Sequence, residues 1–231
     1  IQCRGDLTEK YGIDFTNDNM GEISEKIFIK NLNDVGIQTK DESGNKIQTH
    51  REFVDLNDCI FPYIRFHLPQ FNQLLSEVRK ARVHETKGGF STSTIINGFE
   101  YPVKLGGVHV SVKGQTLRAD EDWIIEDWDV ASFYPNIGIK NRIFPNHLSD
   151  KFCDVYDAMF KERQTYKKGT SENKALKESL NVAYGNSGSK YSPFFDVKYM
   201  LTVTINGQFM LYMIAAKLLQ LQNMQMIQMN T

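Results

Sequence analysis

The sequence is poor in the residues that build disulfide scaffolds and zinc sites. Its 231 residues include three cysteines, Cys3, Cys59 and Cys153, which lie far apart and form no CxxC pair. The five histidines are also scattered, and no HExxH pattern occurs. This usage argues against a disulfide framework and a structural zinc site, and it is typical of a reducing compartment. We therefore expect a cytoplasmic protein.

Long apolar runs are also missing. The longest apolar stretch, residues 209–221, is interrupted by Lys217 and Gln220, so it is too short and too polar to span a bilayer. No signal peptide is present at the start, and we expect no membrane partner. Hydrophobic residues make up 41% of the chain and charged residues 24%, which excludes a disordered or fibrous protein. Because the chain begins with Ile1 rather than Met, we expect it to be a piece of a longer protein.

The chain has no overall excess of positive charge. Its 27 basic and 28 acidic residues give a net charge of -1, which argues against a small histone-like DNA-binding protein. The charge is nevertheless segregated: residues 140–198 hold eleven basic and seven acidic residues, residues 1–127 are acidic on balance, and residues 199–231 carry only Lys217. A local basic surface therefore remains possible.

Hydrophobic periodicity predicts an α+β fold. Residues 1–95 are predicted to be mainly helical, with a helix that starts at Pro69 and a turn over residues 41–46. The apolar stripe of the Pro69 helix consists of Phe71, Leu74, Leu75 and Val78. Residues 191–231 are predicted to contain a long helix over residues 201–222, followed by a strand over Met224–Met229.

Residues 96–149 change to a strand pattern. Val108, Val110 and Val112 alternate with polar residues, which predicts one strand. Residues 123–134 are rich in β-branched and aromatic side chains, which predicts a second. Gly106 and Gly107 precede the first strand and indicate a tight turn or a close backbone approach.

Residues 150–190 are predicted to form an antiparallel helical hairpin. Ser149 or Asp150 caps the first helix and Gly169 ends it, while Ser171 caps a second helix that runs to about Tyr184. The connector is short, so the two helices should pack side by side.

This hairpin carries three cations at positions that suit a polyanion. Arg163 and Lys167 are four residues apart and should share a helix face. On the second helix, one side is formed by Lys177, Asn181 and Tyr184, and another by Leu176, Leu180 and Ala183. The apolar set can anchor the helix while the polar set faces a triphosphate. The alternative is an ordinary solvated charged face.

A carboxylate at the end of the second predicted strand is a candidate metal ligand. Asp129 follows an apolar and acidic stretch and precedes a turn that stops at Pro135. Mg²⁺ prefers one or two carboxylates together with substrate phosphates. The alternative role for Asp129 is to cap the following turn.

Two segments resemble motifs of the family B DNA polymerases. Residues 129–137, DVASFYPNI, resemble motif A, D-x-x-S-L-Y-P-S-I, and residues 177–185, KESLNVAYG, resemble motif B, K-x-x-x-N-S-x-Y-G. Arg163 and Lys167 match the Arg and Lys that precede motif B on the fingers helix, and the overall resemblance is to viral and phage-type members. The resemblance covers residues 100–231 well and residues 1–99 only loosely.

The resemblance implies a role for each matched position. Asp129 would hold two Mg²⁺ ions with the carbonyl of Val130, and Tyr134 would exclude a ribose 2′-hydroxyl. The triphosphate of the incoming dNTP would bind Arg163, Lys167 and Lys177. The implied contacts of the remaining matched residues are the nascent base pair for Asn181 and Tyr184, and DNA for Gly185, Gly106 and Gly107. The implied parts are a segment leading into the palm (1–95), the palm with motif A (96–149), the fingers hairpin (150–190) and a palm helix with a strand entering motif C (191–231).

The implied function is template-directed transfer of dNTPs to a primer 3′-hydroxyl on DNA, in the host cytoplasm if the protein is viral. Two metals would activate the hydroxyl and stabilise the leaving pyrophosphate. Residues 226–231 look like the strand that enters motif C, with Asn230 in place of its first Asp. We therefore expect a fragment that stops before the second catalytic Asp and is inactive alone.

Two alternatives stay open at this stage. One is a non-catalytic module that binds nucleotide or DNA and derives from a polymerase palm. The other is an α/β domain whose Asp caps a turn and whose cations are solvated. An incomplete sheet would also leave an unpaired edge through which two copies could form a dimer.

Overall fold

The computed structural model describes residues 2–85, 89–107, 109–112, 114–116, 118–122 and 124–229, with side chains from residue 4 to residue 222 within these ranges. The described chain is a mixture of helices and two small antiparallel sheets, as the α+β prediction requires. Its helices are α1 (Gln2–Tyr11), α2 (Met20–Asp34), α3 (Pro69–Lys80), α4 (Phe133–Asn141), α5 (Lys151–Thr165), α6 (Ser171–Gly185) and α7 (Val197–Met229). Its strands are β1 (Phe53–Asp55), β2 (Arg82–His84), β3 (Ser91–Ile96) and β4 (Phe99–Lys104).

The chain divides into two compact units. The first comprises Ile1–Arg51 and Tyr134–Val203, and the second comprises Glu52–Phe133 and Thr204–Thr231. Helix α7 begins in the first unit and continues in the second. The fourfold division expected from the resemblance follows other boundaries and stays a prediction.

An aromatic cluster forms the core of the first unit. The ring of Phe28 from α2 lies 5.3 Å from that of Phe152 and 5.5 Å from that of Tyr156, both on α5, and 5.2 Å from that of Phe194. Helix α2, which carries Phe28, begins with a reciprocal capping box in which Asn19 Oδ1 accepts from the Glu22 N–H and the Glu22 carboxylate accepts from the Asn19 N–H. Close packing continues at Gly138, where a Cβ would lie 3.3 Å from the ring of Tyr156.

Helix α3 organises the second unit as its periodicity predicts. Pro69 stands in its first turn, and the whole predicted apolar stripe is buried: Phe71, Leu74, Leu75 and Val78. The ring of Phe71 stacks on that of Tyr212 at 5.5 Å and meets that of Tyr101 edge-on at 5.1 Å. Burial of large aromatic surfaces supplies most of the favourable free energy in such a cluster.

The sheets differ from the predicted ones. Strands β1 and β2 pair antiparallel, and β3 and β4 form a hairpin closed by Asn97 and Gly98, both with positive φ. That two-residue turn matches the twist of the flanking strands. Residues 1–95 are consequently less helical than expected, because β1, β2 and β3 and long loops separate three helices.

Two predicted strands are wrong and a third is barely formed. Residues 124–130 have no strand structure, and α4 begins at Phe133, inside the predicted strand. Residues 224–229 continue helix α7 instead of forming a strand. Of the strand predicted around Val108–Val112, only Ser111 forms a bridge, with Glu100, while Val108 lies outside the described residues.

Candidate functional site

Helix α6 presents the two faces that its sequence predicts. Leu176, Leu180 and Ala183 are fully buried, whereas Lys177 and Asn181 are exposed. The helix begins at Ser171, and Thr170 rather than Ser171 is its N-cap, with Oγ1 accepting from the Asn173 N–H at 3.3 Å. The apolar face therefore anchors the helix and the polar face is available to a ligand.

The exposed face of α6 includes a cation that motif matching did not select. Lys174 is exposed and stands one turn before Lys177, so the two ammonium groups lie on the same side of the helix. The i, i+3 spacing of the two lysines was the signal that could have identified it. Together with Asn181, they form a polar stripe along the helix.

Helices α5 and α6 form the predicted antiparallel hairpin. Near its base, the Tyr156 hydroxyl donates to the Leu180 carbonyl at 2.6 Å. At its tip, the Asn173 side-chain amide donates to the carbonyls of Arg163 at 3.1 Å and Tyr166 at 3.2 Å. Because contact positions rise along α6 as they fall along α5, the helices run antiparallel.

Arg163 and Lys167, the basic pair that precedes the segment resembling motif B, do not share a helix face. Helix α5 ends at Thr165, and Tyr166 has extended dihedrals (φ -94°, ψ 139°), so Lys167 lies in the connector. The left-handed φ of +99° at Gly169 then allows the connector to turn into α6. Arg163 is half-buried in the last turn of α5, and Lys167 is exposed at the hairpin tip. Both cations remain on the hairpin, but the spacing argument that joined them was wrong.

A separate ion pair holds the tip-proximal end of α5. Lys10 of α1 donates to Glu162 at 2.5 Å and to the Tyr166 hydroxyl at 2.6 Å. Partial burial alone would lower the pKa of Lys10, but the bonds to Glu162 and Tyr166 outweigh it, and the pKa is raised. Helix α1 therefore supports the outer part of the hairpin with a fully charged lysine.

The tyrosines of the two motif-like segments lie face to face. The ring of Tyr134, in the first turn of α4, stacks on that of Tyr184, in the last turn of α6, with centroids 4.7 Å apart and planes inclined by 25°. Both side chains are half-buried, so the pair keeps an accessible edge. Fifty positions separate the two residues, and the fold places them in direct contact.

Asp129 lies in an exposed segment without regular secondary structure and not at the end of a strand. Within residues 124–130 the apolar side chains are also exposed, with Ile124 at 79% and Trp128 at 84%. Ser132 then adopts a φ of +50° immediately before α4. No described residue pairs with this segment in a ladder, which explains why the predicted strand is absent. Asp129 and Val130 are nonetheless both exposed residues.

Gly106 and Gly107 are exposed after β4, and a side chain of α7 forms hydrogen bonds with the backbone at this point. The buried Gln208 side chain accepts from the Lys104 N–H at 3.0 Å and donates to the carbonyls of Lys104 at 2.8 Å and Gly106 at 3.0 Å. Gln208 was not among the sequence candidates. A buried amide within a mostly apolar helix was its only signal.

The predicted site residues thus fall into two groups. Those of α4, α5, α6 and their connector belong to the first unit: Tyr134, Arg163, Lys167, Lys177, Asn181, Tyr184 and Gly185. Those of the segments without regular secondary structure belong to the second: Asp129, Val130, Gly106 and Gly107. Gly185 is exposed at the end of α6, and a Cβ there would meet no atom within 4 Å.

Comparisons with family models, with curated proteins and with solved structures gave no match. Across the described residues, no cluster of three histidine, cysteine, aspartate or glutamate side chains could hold a metal ion. No helix in that part of the chain is both long enough and apolar enough to cross a membrane.

Proposed function

We propose that the chain is the palm and fingers part of a template-directed DNA polymerase similar to family B, which transfers dNTPs to a primer 3′-hydroxyl. The observation that carries this proposal is the Tyr134–Tyr184 stack at 4.7 Å. It unites the two segments whose residues resemble motif A and motif B. A polymerase needs these segments together, because one supplies the sugar-contacting residue and the other the base-pair-contacting residues.

The hairpin supplies the binding side of the reaction. Lys177 and Lys174 lie on the exposed face of α6, with Lys167 at the tip and Arg163 in the last turn of α5. Lysine binds phosphate as a compact charge and arginine binds it through paired N–H donors. Asn181 and Tyr184 continue the same helix toward Gly185 and would contact the nascent base pair. This arrangement suits a ligand with a triphosphate at one end and a base at the other.

Asp129 would hold Mg²⁺, with the carbonyl of Val130 as a second protein ligand. The exposed Asp129 side chain, followed directly by the Val130 carbonyl, fits a hard cation that takes one or two carboxylates and completes its coordination with substrate phosphate. When bound, two such ions would activate the primer hydroxyl and stabilise the pyrophosphate. The residues of this chain position the phosphates and the sugar, which is most of what phosphoryl transfer requires from protein.

Nucleotide titration of the chain tests the binding side. With Mg²⁺ present, replacing Lys177 by Ala should weaken dNTP binding by about tenfold or more, the scale of one lost charge-assisted phosphate contact. Lys161→Ala is the matched control, because Lys161 is an exposed lysine of α5 that pairs with Asp157 at 2.6 Å. Equal losses in both variants, or no loss in either, would contradict the assignment.

The second candidate is a module that binds nucleotide or DNA without turnover. It is favoured by the fact that Arg163 and Lys177, like the two stacked tyrosines, are held on packed helices, whereas Asp129 lies on an exposed segment. A primer-template complex separates the two candidates. A template-directed polymerase should bind the dNTP complementary to the templating base at least about tenfold more tightly than the other three. A simple binding module should treat all four alike.

A further inference from the structure

A chain of buried polar contacts holds the C-terminal end of α6. Ser187 is fully buried, and its hydroxyl donates to the Tyr184 carbonyl at 2.5 Å. The Ser187 carbonyl in turn accepts from the backbone N–H of Asp196 at 2.9 Å. Two hydrogen bonds therefore connect the backbone of Tyr184 to Asp196, nine residues after Ser187.

Asp196 is a buried carboxylate with three partners. It is 2% exposed and forms an ion pair with the Arg51 guanidinium. It also accepts from the backbone N–H groups of Asn146 at 2.8 Å and Tyr199 at 3.2 Å. A buried charge with fewer partners would cost several kcal/mol. Here the partners come from three separate segments, so the position of the carboxylate is determined from several directions.

The segment that contains Arg51 also forms hydrogen bonds with the rest of the loop between α6 and α7. The Gln48 side-chain amide donates to the carbonyls of Lys190 at 2.8 Å and Ser192 at 2.7 Å. The Thr49 N–H donates to the Phe195 carbonyl at 3.1 Å. Residues 46–51 are therefore bound to residues 186–196 by hydrogen bonds, and the Arg51–Asp196 ion pair is the last of these contacts.

We infer that Arg51, Asp196 and Ser187 are positioning residues that hold the ring of Tyr184 against that of Tyr134. Apolar packing could close the loop equally well, since replacing a buried ion pair by apolar residues is often neutral or stabilising. What directed hydrogen bonds add is a fixed orientation at the last turn of α6, where Tyr184 projects. The assignment rests on the proposed function for its importance to nucleotide binding, but the placement of the ring can be tested without nucleotide.

Fluorine NMR of the chain labelled with 3-fluorotyrosine measures the stack directly. Tyr134→Leu and Tyr184→Leu identify the two signals, and each signal should shift when the other ring is removed. Ser187→Ala should move the Tyr184 signal toward its value in Tyr134→Leu, where the stacking ring is absent. Ser179→Ala is the matched control, because Ser179 is a fully buried serine of the same helix that donates to the Ala175 carbonyl at 2.9 Å. It should leave the signal in place.

Variants of Arg51 test the end of this series of hydrogen bonds that is farthest from Tyr184. Arg51→Met should shift the Tyr184 signal while the helical circular dichroism stays unchanged. In Arg51→Lys, the Tyr184 signal should return part of the way to its wild-type position. In dNTP titrations, Ser187→Ala and Arg51→Met should each weaken binding by about fivefold, the equivalent of one hydrogen bond. An unmoved Tyr184 signal in both variants would overturn the inference, as would an equal shift in Ser179→Ala. If the wild-type chain binds no nucleotide, the proposed function fails, and the fluorine signals still decide the positioning role.

Discussion

We expect loss of the hydroxyl to affect the free energy of unfolding in opposite ways at two buried tyrosines of the first unit. Tyr156 and Tyr199 are 0% and 3% exposed. The Tyr156 hydroxyl donates to the Leu180 carbonyl at 2.6 Å, whereas the Tyr199 hydroxyl has no hydrogen-bond partner among the described residues. Phenylalanine preserves the ring in both cases. The comparison of Tyr156→Phe with Tyr199→Phe therefore isolates the hydroxyl.

The expected change in the free energy of unfolding depends on whether each hydroxyl, on folding, replaces its hydrogen bonds to water with a hydrogen bond inside the protein. A neutral buried hydrogen bond contributes about 1 kcal/mol net, and the Leu180 carbonyl keeps its helical partner, so Tyr156→Phe should lower the free energy of unfolding by about 1 kcal/mol. A buried hydroxyl without a partner costs about 1–3 kcal/mol, so Tyr199→Phe should be neutral or should raise that free energy by up to about 1 kcal/mol. Burial raises the pKa of both phenols, so both remain neutral around neutral pH and charge does not confuse the comparison.

Urea unfolding followed by far-ultraviolet circular dichroism measures both variants. The expected separation between them is about 1–2 kcal/mol, which exceeds the error of a midpoint comparison at constant slope. A Tyr199→Phe variant that is destabilised as strongly as Tyr156→Phe would refute the reasoning, because it would mean that the ring environment and not the hydrogen bond decides the outcome.

Three further predictions concern other parts of the molecule. Burial lowers the pKa of His147, against the opposing effects of the Pro193 carbonyl and Asp196, so the folded chain binds a proton less readily than the unfolded chain. The free energy of unfolding should therefore fall as pH drops through about 6.5, and it should fall less steeply in His147→Gln. Gln208→Leu removes three hydrogen bonds and should lower the free energy of unfolding by about 2 kcal/mol or more, with faster amide exchange at Lys104; unchanged exchange would argue against the bond at that amide. Asp129→Asn should abolish the Mg²⁺ dependence of dNTP binding while metal-free binding stays as in the wild type, and a retained dependence would place the metal elsewhere.

The helices and their faces could be predicted from the sequence, but some boundaries could not. The stripe of α3 and the buried face of α6 are both as predicted, because the 3.6-residue period is a local property of the chain. Helix α5 ends at Thr165, four residues before Gly169, where the sequence predicts its end. The Asn97-Gly98 pair was a direct signal for the β3–β4 hairpin, but it did not contribute to the predictions.

The placement of the candidate residues could be predicted where they lie on helices, and not where a strand was expected; their roles stay a prediction. The contact between Tyr134 and Tyr184 joins two segments identified by motif alone, although no periodicity relates them. The roles of Gln208 and Asp196 were not predictable, because a single buried amide or carboxylate has no pattern along the chain. Such residues become visible only when the backbone groups that they satisfy are in place.

The failed strand predictions share one physical cause. A helix satisfies each backbone N–H from four residues away, so residues 224–229 can continue α7 whatever else is nearby. A strand satisfies none of its own groups and needs a partner chain segment. Residues 124–130 have the composition of a strand, with Ile124, Ile125 and Trp128 exposed, but no described segment pairs with them. A peptide or protein that offers a free strand edge should therefore order these residues, and protection of their amides from hydrogen exchange would detect it; amides that exchange at the same rate with and without such a partner would mean that composition alone misidentified the segment.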